Sequence, residues 1–237
     1  MPDADRSALI ARYDALWNAA APEVRVGRAS VDPLPLRKAE DARRGVTLLA
    51  RPGAEVAGAL AAFLDELRAL EPAQYYQPSG DLHLTVLAPF TATVEPGPYL
   101  AHLDDYHAAA AEALAGVGPF AVDFPGVTMS TGAVLARGYP HDGTLEMLRT
   151  RLRAALTARG LGAALDGRYR LETAHLTLVR IASPLADAER FVRALDRARG
   201  RTFGTSVVSA LELVVSDWYQ SAEHTELVAR YELDGRR

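Results

Sequence analysis

The stretches DLHLTVLAPF (81–90) and RLETAHLTLVRI (170–181) read as two strands with one shared core, His-Leu-Thr-aliphatic. The copies are His83-Leu84-Thr85-Val86 and His175-Leu176-Thr177-Leu178, with their histidines 92 positions apart. Side chains alternate between faces along a strand. His83 and Thr85 therefore share a face, as do His175 and Thr177, and the aliphatic residues take the other. One His-x-Thr in a strand means little. Two copies among only six histidines would arise by chance on the order of once in ten thousand chains at average residue usage.

Outward from these strands the chain repeats an order of strand, helix, strand, helix, strand. The first pass reads strand 46–51, helix 54–70, strand 81–90, a helix from Pro98 to about Gly116, and strand 120–129. Val56, Leu60, Phe63, Leu64 and Leu67 give its first helix one apolar face. The second pass reads strand 133–139, a helix from Thr144 to about Gly160, strand 170–181, and a helix opened by Ser183-Pro184 and closed near Gly200. Leu145, Leu148, Leu152, Ala155 and Leu156 line its first helix. Strands at 203–216 and 224–233 follow. The pattern predicts an α+β fold: a duplicated, bilobal body, two antiparallel-type sheets with outer helices around a central cleft. An approximate two-fold axis is expected to set the two His-Leu-Thr strands face to face. Residues 45–237 form that single domain. Residues 1–44 precede it as a helix over about 1–20 and an irregular arm containing Pro22, Pro33 and Pro35.

Composition narrows the chemistry. The chain has 237 residues, 49% hydrophobic and 24% charged, which suits a soluble globular protein with a sizeable core. No apolar run reaches the roughly 18–20 residues that span a bilayer. The charged N-terminus lacks the apolar core of a signal peptide. The expected setting is a cytoplasmic monomer without a membrane partner. There is no cysteine, so disulfides, thiol nucleophiles and thiolate zinc sites are excluded. Glycine-rich phosphate loops and a Gly-x-Ser-x-Gly elbow are also missing from the sequence. The net charge is -4, yet 13 arginines face seven acidic residues between Arg137 and Arg201. That distribution is either a compositional bias or a face for a phosphate-bearing ligand.

The paired motifs resemble the two-histidine phosphoesterase superfamily, which includes bacterial 2′–5′ RNA ligase-like proteins and 2′,3′-cyclic nucleotide phosphodiesterases. Its mark is two His-x-Thr/Ser-x elements about 80–100 residues apart. His83/Thr85 and His175/Thr177 match it position by position, and the resemblance covers about 45–233. It implies phosphodiester or cyclic-phosphate chemistry without metal or cofactor, on a nucleotide or RNA-end substrate. Imidazole, with a pKa near 6.5, can act as acid or base near neutral pH. His83 and His175 are thus the catalytic pair, with roles interchangeable on paper, and Thr85 and Thr177 bind the phosphate oxygens. Zinc is the weaker reading, since a catalytic site usually takes three protein ligands. Tyr76, Arg180 and Trp218 are carried as substrate-contacting candidates. Tyr75 and Tyr76 could stack on a base or simply pack in their loop. Alternation would put Arg180 on the buried face with Leu176 and Leu178. The turn Met129-Ser130-Thr131 could rim the cleft.

Overall fold

A computed structural model describes residues 3–165 and 170–235. The chain opens with α1 (Asp3–Arg25), followed by an arm with short 3-10 turns at Leu34–Leu36 and Lys38–Glu40. Then come β1 (Gly45–Ala50), α2 (Ala54–Arg68), β2 (Tyr75–Tyr76), β3 (Leu84–Leu87), α3 (Gly97–Leu100), α4 (Leu103–Leu114), β4 (Phe120–Pro125) and β5 (Val127–Ser130). The second half runs β6 (Ala133–Ala136), β7 (Tyr139–Pro140), α5 (Thr144–Ala158), β8 (Leu176–Arg180), α6 (Ala188–Ala198), β9 (Thr202–Val208), β10 (Ala210–Ser216) and β11 (Glu226–Glu232).

The strands form two antiparallel sheets, with helices and sheets mixed as the sequence pattern predicts. The larger has the order β11-β10-β1-β3-β8-β6-β5, with β2 added beside β8; the smaller is β7-β4-β9. Apart from β11 and β2, which have no counterpart, the order is symmetric about the β3–β8 junction. β1 flanks β3 as β6 flanks β8, and each half's last strand crosses to the other side. Register repeats the symmetry. Leu49 pairs with Thr85 and Ala50 with Leu84, as Leu135 pairs with Thr177 and Ala136 with Leu176. The two motif strands are therefore hydrogen-bonded neighbours in one sheet, with Leu84 opposite Leu176. They do not face each other across a gap, because the two halves merge into a single sheet.

The apolar faces pack as their periodicity requires. Val56, Leu60, Phe63, Leu64 and Leu67 of α2 are all buried, as are Leu145, Leu148, Leu152, Ala155 and Leu156 of α5. Each fully buried Leu or Phe contributes about 1.5–3 kcal/mol. The strand expected over 120–129 is broken at Gly126, whose φ of +79° carries the chain from one sheet into the other. A Cβ there would lie 1.9 Å from the Arg199 carbonyl oxygen, so glycine is required. Similarly, 133–139 divides into β6 and β7, 203–216 into β9 and β10, and 98–116 into α3 and α4. The helix expected from Ser183 starts instead at Ala188. The Glu71 carboxylate takes the amide hydrogens of Ala186 and Asp187 and holds that segment as a loop, and Asp187 then caps the helix by accepting from Arg190 N.

α1 is anchored to the body rather than loosely attached. The buried Tyr13 hydroxyl donates to the Gly138 carbonyl (3.1 Å) and accepts from the amide of Ala174 (3.1 Å), next to the second motif. Among the described residues no helix is long and apolar enough to cross a membrane.

Candidate active site

The motif strands lay their polar residues on one face, as alternation demands. Leu84, Val86, Leu176 and Leu178 are buried; His83, Thr85, His175 and Thr177 are only partly so and line a cleft of about 180 Å³. The Leu84–Leu176 pairing sets His83 beside Thr177 and Thr85 beside His175. Opposed side chains in an antiparallel pair stand about 5 Å apart and diagonal ones about 7–8 Å. The two imidazoles thus occupy a diagonal with room for a phosphate-sized group between them, and the two hydroxyls occupy the other diagonal.

Backbone irregularity matters as much as alternation. Leu48 pairs with Leu87 while Leu49 pairs with Thr85, leaving Val86 as a bulge. Val134 pairs with Val179 while Leu135 pairs with Thr177, leaving Leu178 as the matching bulge. A bulge adds one residue and reverses the facing of the residues beyond it. Arg180 is thereby turned onto the face of His175 and Thr177 and lines the cleft. Simple alternation had put it on the buried face. The equivalent residue after the first bulge is Ala88, which also lines the cleft.

Each imidazole is held at Nδ1. His83 Nδ1 donates to the Asp81 carbonyl oxygen at 2.8 Å. A carbonyl only accepts, so neutral His83 keeps its lone pair on Nε2. His175 Nδ1 bonds the Thr173 hydroxyl, also at 2.8 Å, a partner that can donate or accept. Burial pushes both imidazoles below their ordinary value, to about 4. For His83 the Asp81 carbonyl and the Asp217 carboxylate pull upward against this, while Arg51 and Arg180 push down. For His175, Arg149, His83 and Arg180 all push down.

Several site residues were not visible from the motif. Arg149 of α5 is buried and ties the first motif strand to the segment that leads into β8. Its Nε donates to the Val86 carbonyl (3.0 Å), and its Nη2 donates to Thr85 O (3.1 Å) and Thr173 O (2.8 Å). The only signal was a charge inside the apolar stripe, four residues after Leu145. Asp217 lines the cleft and carries the turn before β11. Burial raises its pKa, but the Ser221 amide and hydroxyl, His224 and the Tyr219 amide outweigh that and hold it below the usual carboxylate range. Gln220 follows with φ of +57°, a left-handed conformation uncommon outside glycine, and its amide donates to the Thr47 hydroxyl. This turn sets Trp218 at the cleft wall, with the Arg43 guanidinium 5.1 Å from its ring. Tyr76 is not placed with these residues. It is buried, and its hydroxyl lies between the Leu67 and Glu71 carbonyls at the end of α2. Pairing of β2 with β8 draws it inward. Among the described residues, no group of three or more His, Asp or Glu side chains is placed to hold a metal.

Comparison with solved structures finds the same fold. TT0787 of Thermus thermophilus aligns with a TM-score of 0.62 at 21% identity, over 82% of this chain and all of that one. Escherichia coli LigT, crystallised with 3′-AMP, aligns with a TM-score of 0.53 at 16% identity, over 81% of this chain and 98% of that one. A protein described as a phosphoesterase aligns at 0.50 with 18% identity, over 81% and 99%. No curated protein matches the sequence. The family model of the 2′-5′ RNA ligase superfamily matches residues 56–217, which include both motifs. The chain belongs to the 2′-5′ RNA ligase superfamily, the two-histidine phosphoesterases.

Proposed function

We propose that the protein is a phosphoesterase that opens a 2′,3′-cyclic phosphate, on a nucleotide or an RNA end, by acid–base catalysis between His83 and His175. The carrying observation is the pair of imidazoles set diagonally on one sheet face, each fixed at Nδ1 and each with Nε2 left for the substrate. Water attacks phosphorus from one side as the bond to a ribose oxygen breaks on the other. His83 Nε2 takes the proton from water, and the Asp81 carbonyl and Asp217 stabilise the cation formed. His175 gives its proton to the departing oxygen. Its cation has Arg149 and Arg180 for neighbours, which favours release. The hydroxyls of Thr85 and Thr177 and the Arg180 guanidinium lie along the cleft, where charge builds on the non-bridging oxygens. Solvent exchange then resets both imidazoles.

Each positioned proton-transfer group contributes about 10²–10⁴-fold. His83→Ala and His175→Ala are each expected to lower turnover of nucleoside 2′,3′-cyclic phosphates by that factor, measured by phosphomonoester release. Full turnover by either variant contradicts the proposal. Tight binding by the parent protein without turnover would favour a phosphate-binding module on the same fold.

A further inference from the structure

The cleft does not end at the histidines. A second cavity of about 920 Å³ opens from it and shares His175, Thr177, Arg180 and Trp218 as common wall. Its far wall is built by α1 and the arm, through Arg12, Ala15, Leu16, Ala19, Val31 and Arg43. Those segments precede the family-matched region, which begins at residue 56. The β5–β6 connection contributes Ser130 and Thr131, with Ser30 bonded to Thr131 through both its amide and its hydroxyl. Cavities that enclose a drug-sized ligand run about 300–1,000 Å³. The cleft alone falls below that range, and the groove lies near its top.

Charge and surface type define the occupant. Arg12, Arg43, Arg170 and Arg180 line this groove against Asp32 and Glu172, in a chain whose net charge is -4. Arg12 sits in an ion pair with Glu172, Arg170 with Glu146 and Arg43 with Asp41, and Arg43 also stacks on Trp218. The same cavity is lined by the aliphatic side chains of Ala15, Leu16, Ala19 and Val31. A groove that carries four arginines, aliphatic side chains and the Trp218 indole suits a single strand of nucleic acid, whose phosphates meet guanidiniums while its bases lie on apolar surface.

We infer that α1 and the arm build an extension subsite for the nucleotides preceding the reacting phosphate, so that the preferred substrate is an RNA 3′ end several nucleotides long. The inference rests on the phosphoesterase reading for the position of the phosphate. The groove leaves the cleft at His175, Thr177 and Arg180, where that phosphate would sit, so the occupant is what the phosphate carries. A mononucleotide would leave the groove empty.

The test compares a nucleoside 2′,3′-cyclic monophosphate with a tetraribonucleotide ending in the same cyclic phosphate, in the parent and in the double variant Ala15→Glu/Ala19→Glu. Both alanines are exposed on α1, and glutamate is a good helix former. The parent should prefer the tetranucleotide by about tenfold in kcat/KM. The added carboxylates should reduce that preference by about tenfold at low salt, with less effect at high salt. Equal kcat/KM for both substrates in the parent, or an unchanged ratio in the variant, overturns the subsite. In parallel, fluorescence anisotropy reads binding of a 5′-labelled tetraribonucleotide 3′-phosphate against an unlabelled nucleoside 3′-phosphate competitor. If neither cyclic phosphate is hydrolysed, the phosphoesterase reading fails. The anisotropy ratio then decides the groove by itself: tighter tetranucleotide binding that the double variant weakens supports it, and equal affinity overturns it.

Discussion

The two halves of the large sheet share a backbone and differ in chemistry. Both motif strands pair with their flanking strands in the same register and carry a bulge at the same point, Val86 in one and Leu178 in the other. After the bulge, one strand presents Ala88 and the other Arg180. Before the motif, one imidazole leans on the Asp81 carbonyl and the other on the Thr173 hydroxyl. Asp217 pulls the first histidine's pKa upward, and Arg149 pushes the second's down. Symmetry thus sets the geometry, and in the proposed mechanism a few unsymmetrical neighbours distinguish the two imidazoles. An in-line displacement needs both, since its two ends carry opposite proton traffic.

Removing the tie between the halves should give the largest effect. Arg149→Met deletes three hydrogen bonds that join the first motif strand to the segment before His175. Stability measured by urea denaturation should fall by about 3 kcal/mol, because buried carbonyls lose charged donors. Loss of turnover in the protein that remains folded should accompany it. Unchanged stability would mean that the halves hold their register without it.

Arg180→Gln makes the second half resemble the first. KM for a cyclic phosphate should rise about tenfold or more, as expected for a lost charged hydrogen bond. The pH profile should move as well. Arg180 lowers both imidazoles, so its removal lets each hold its proton to higher pH. The optimum of kcat/KM, expected below 6.5 in the parent, should shift upward by up to about one unit. A shift to lower pH contradicts the electrostatic account.

Thr173→Val should give the smallest effect. It leaves His175 in place and deletes the partner of Nδ1. A decrease in kcat of about fivefold is expected with KM unmoved, the size of one neutral hydrogen bond, and Thr173→Ser should restore it. Equal changes in kcat and KM would point to a role in binding instead.

Much of this was legible in the sequence because it rests on periodicity. The amphipathic faces of α2 and α5 and the inward leucines of both motif strands follow from spacing alone, and so does the pairing of His83 with Thr85 and His175 with Thr177 on polar faces. Spacing does not carry register. A bulge is one extra residue, invisible until the partner strand is known, and it turned Arg180 from the buried face to the cleft. The neighbouring rather than facing arrangement of the motif strands depends on which strands cross between halves, a non-local choice. Arg149 and Asp217 escaped notice for the same reason, because each acts on backbone or side chains far away in the chain.

The assignment of base and acid is tested most directly by the leaving group. A 2′-deoxynucleoside 3′-(4-nitrophenyl) phosphate departs with little need of a proton, whereas a ribose oxygen departs poorly without one. Turnover of this ester and of a nucleoside 2′,3′-cyclic phosphate should be measured for His83→Ala and His175→Ala. The account predicts that His175→Ala loses about 10²-fold or more on the cyclic phosphate and keeps most of its activity on the ester, while His83→Ala loses both. The reverse pattern, or equal losses in both variants on both substrates, would contradict it.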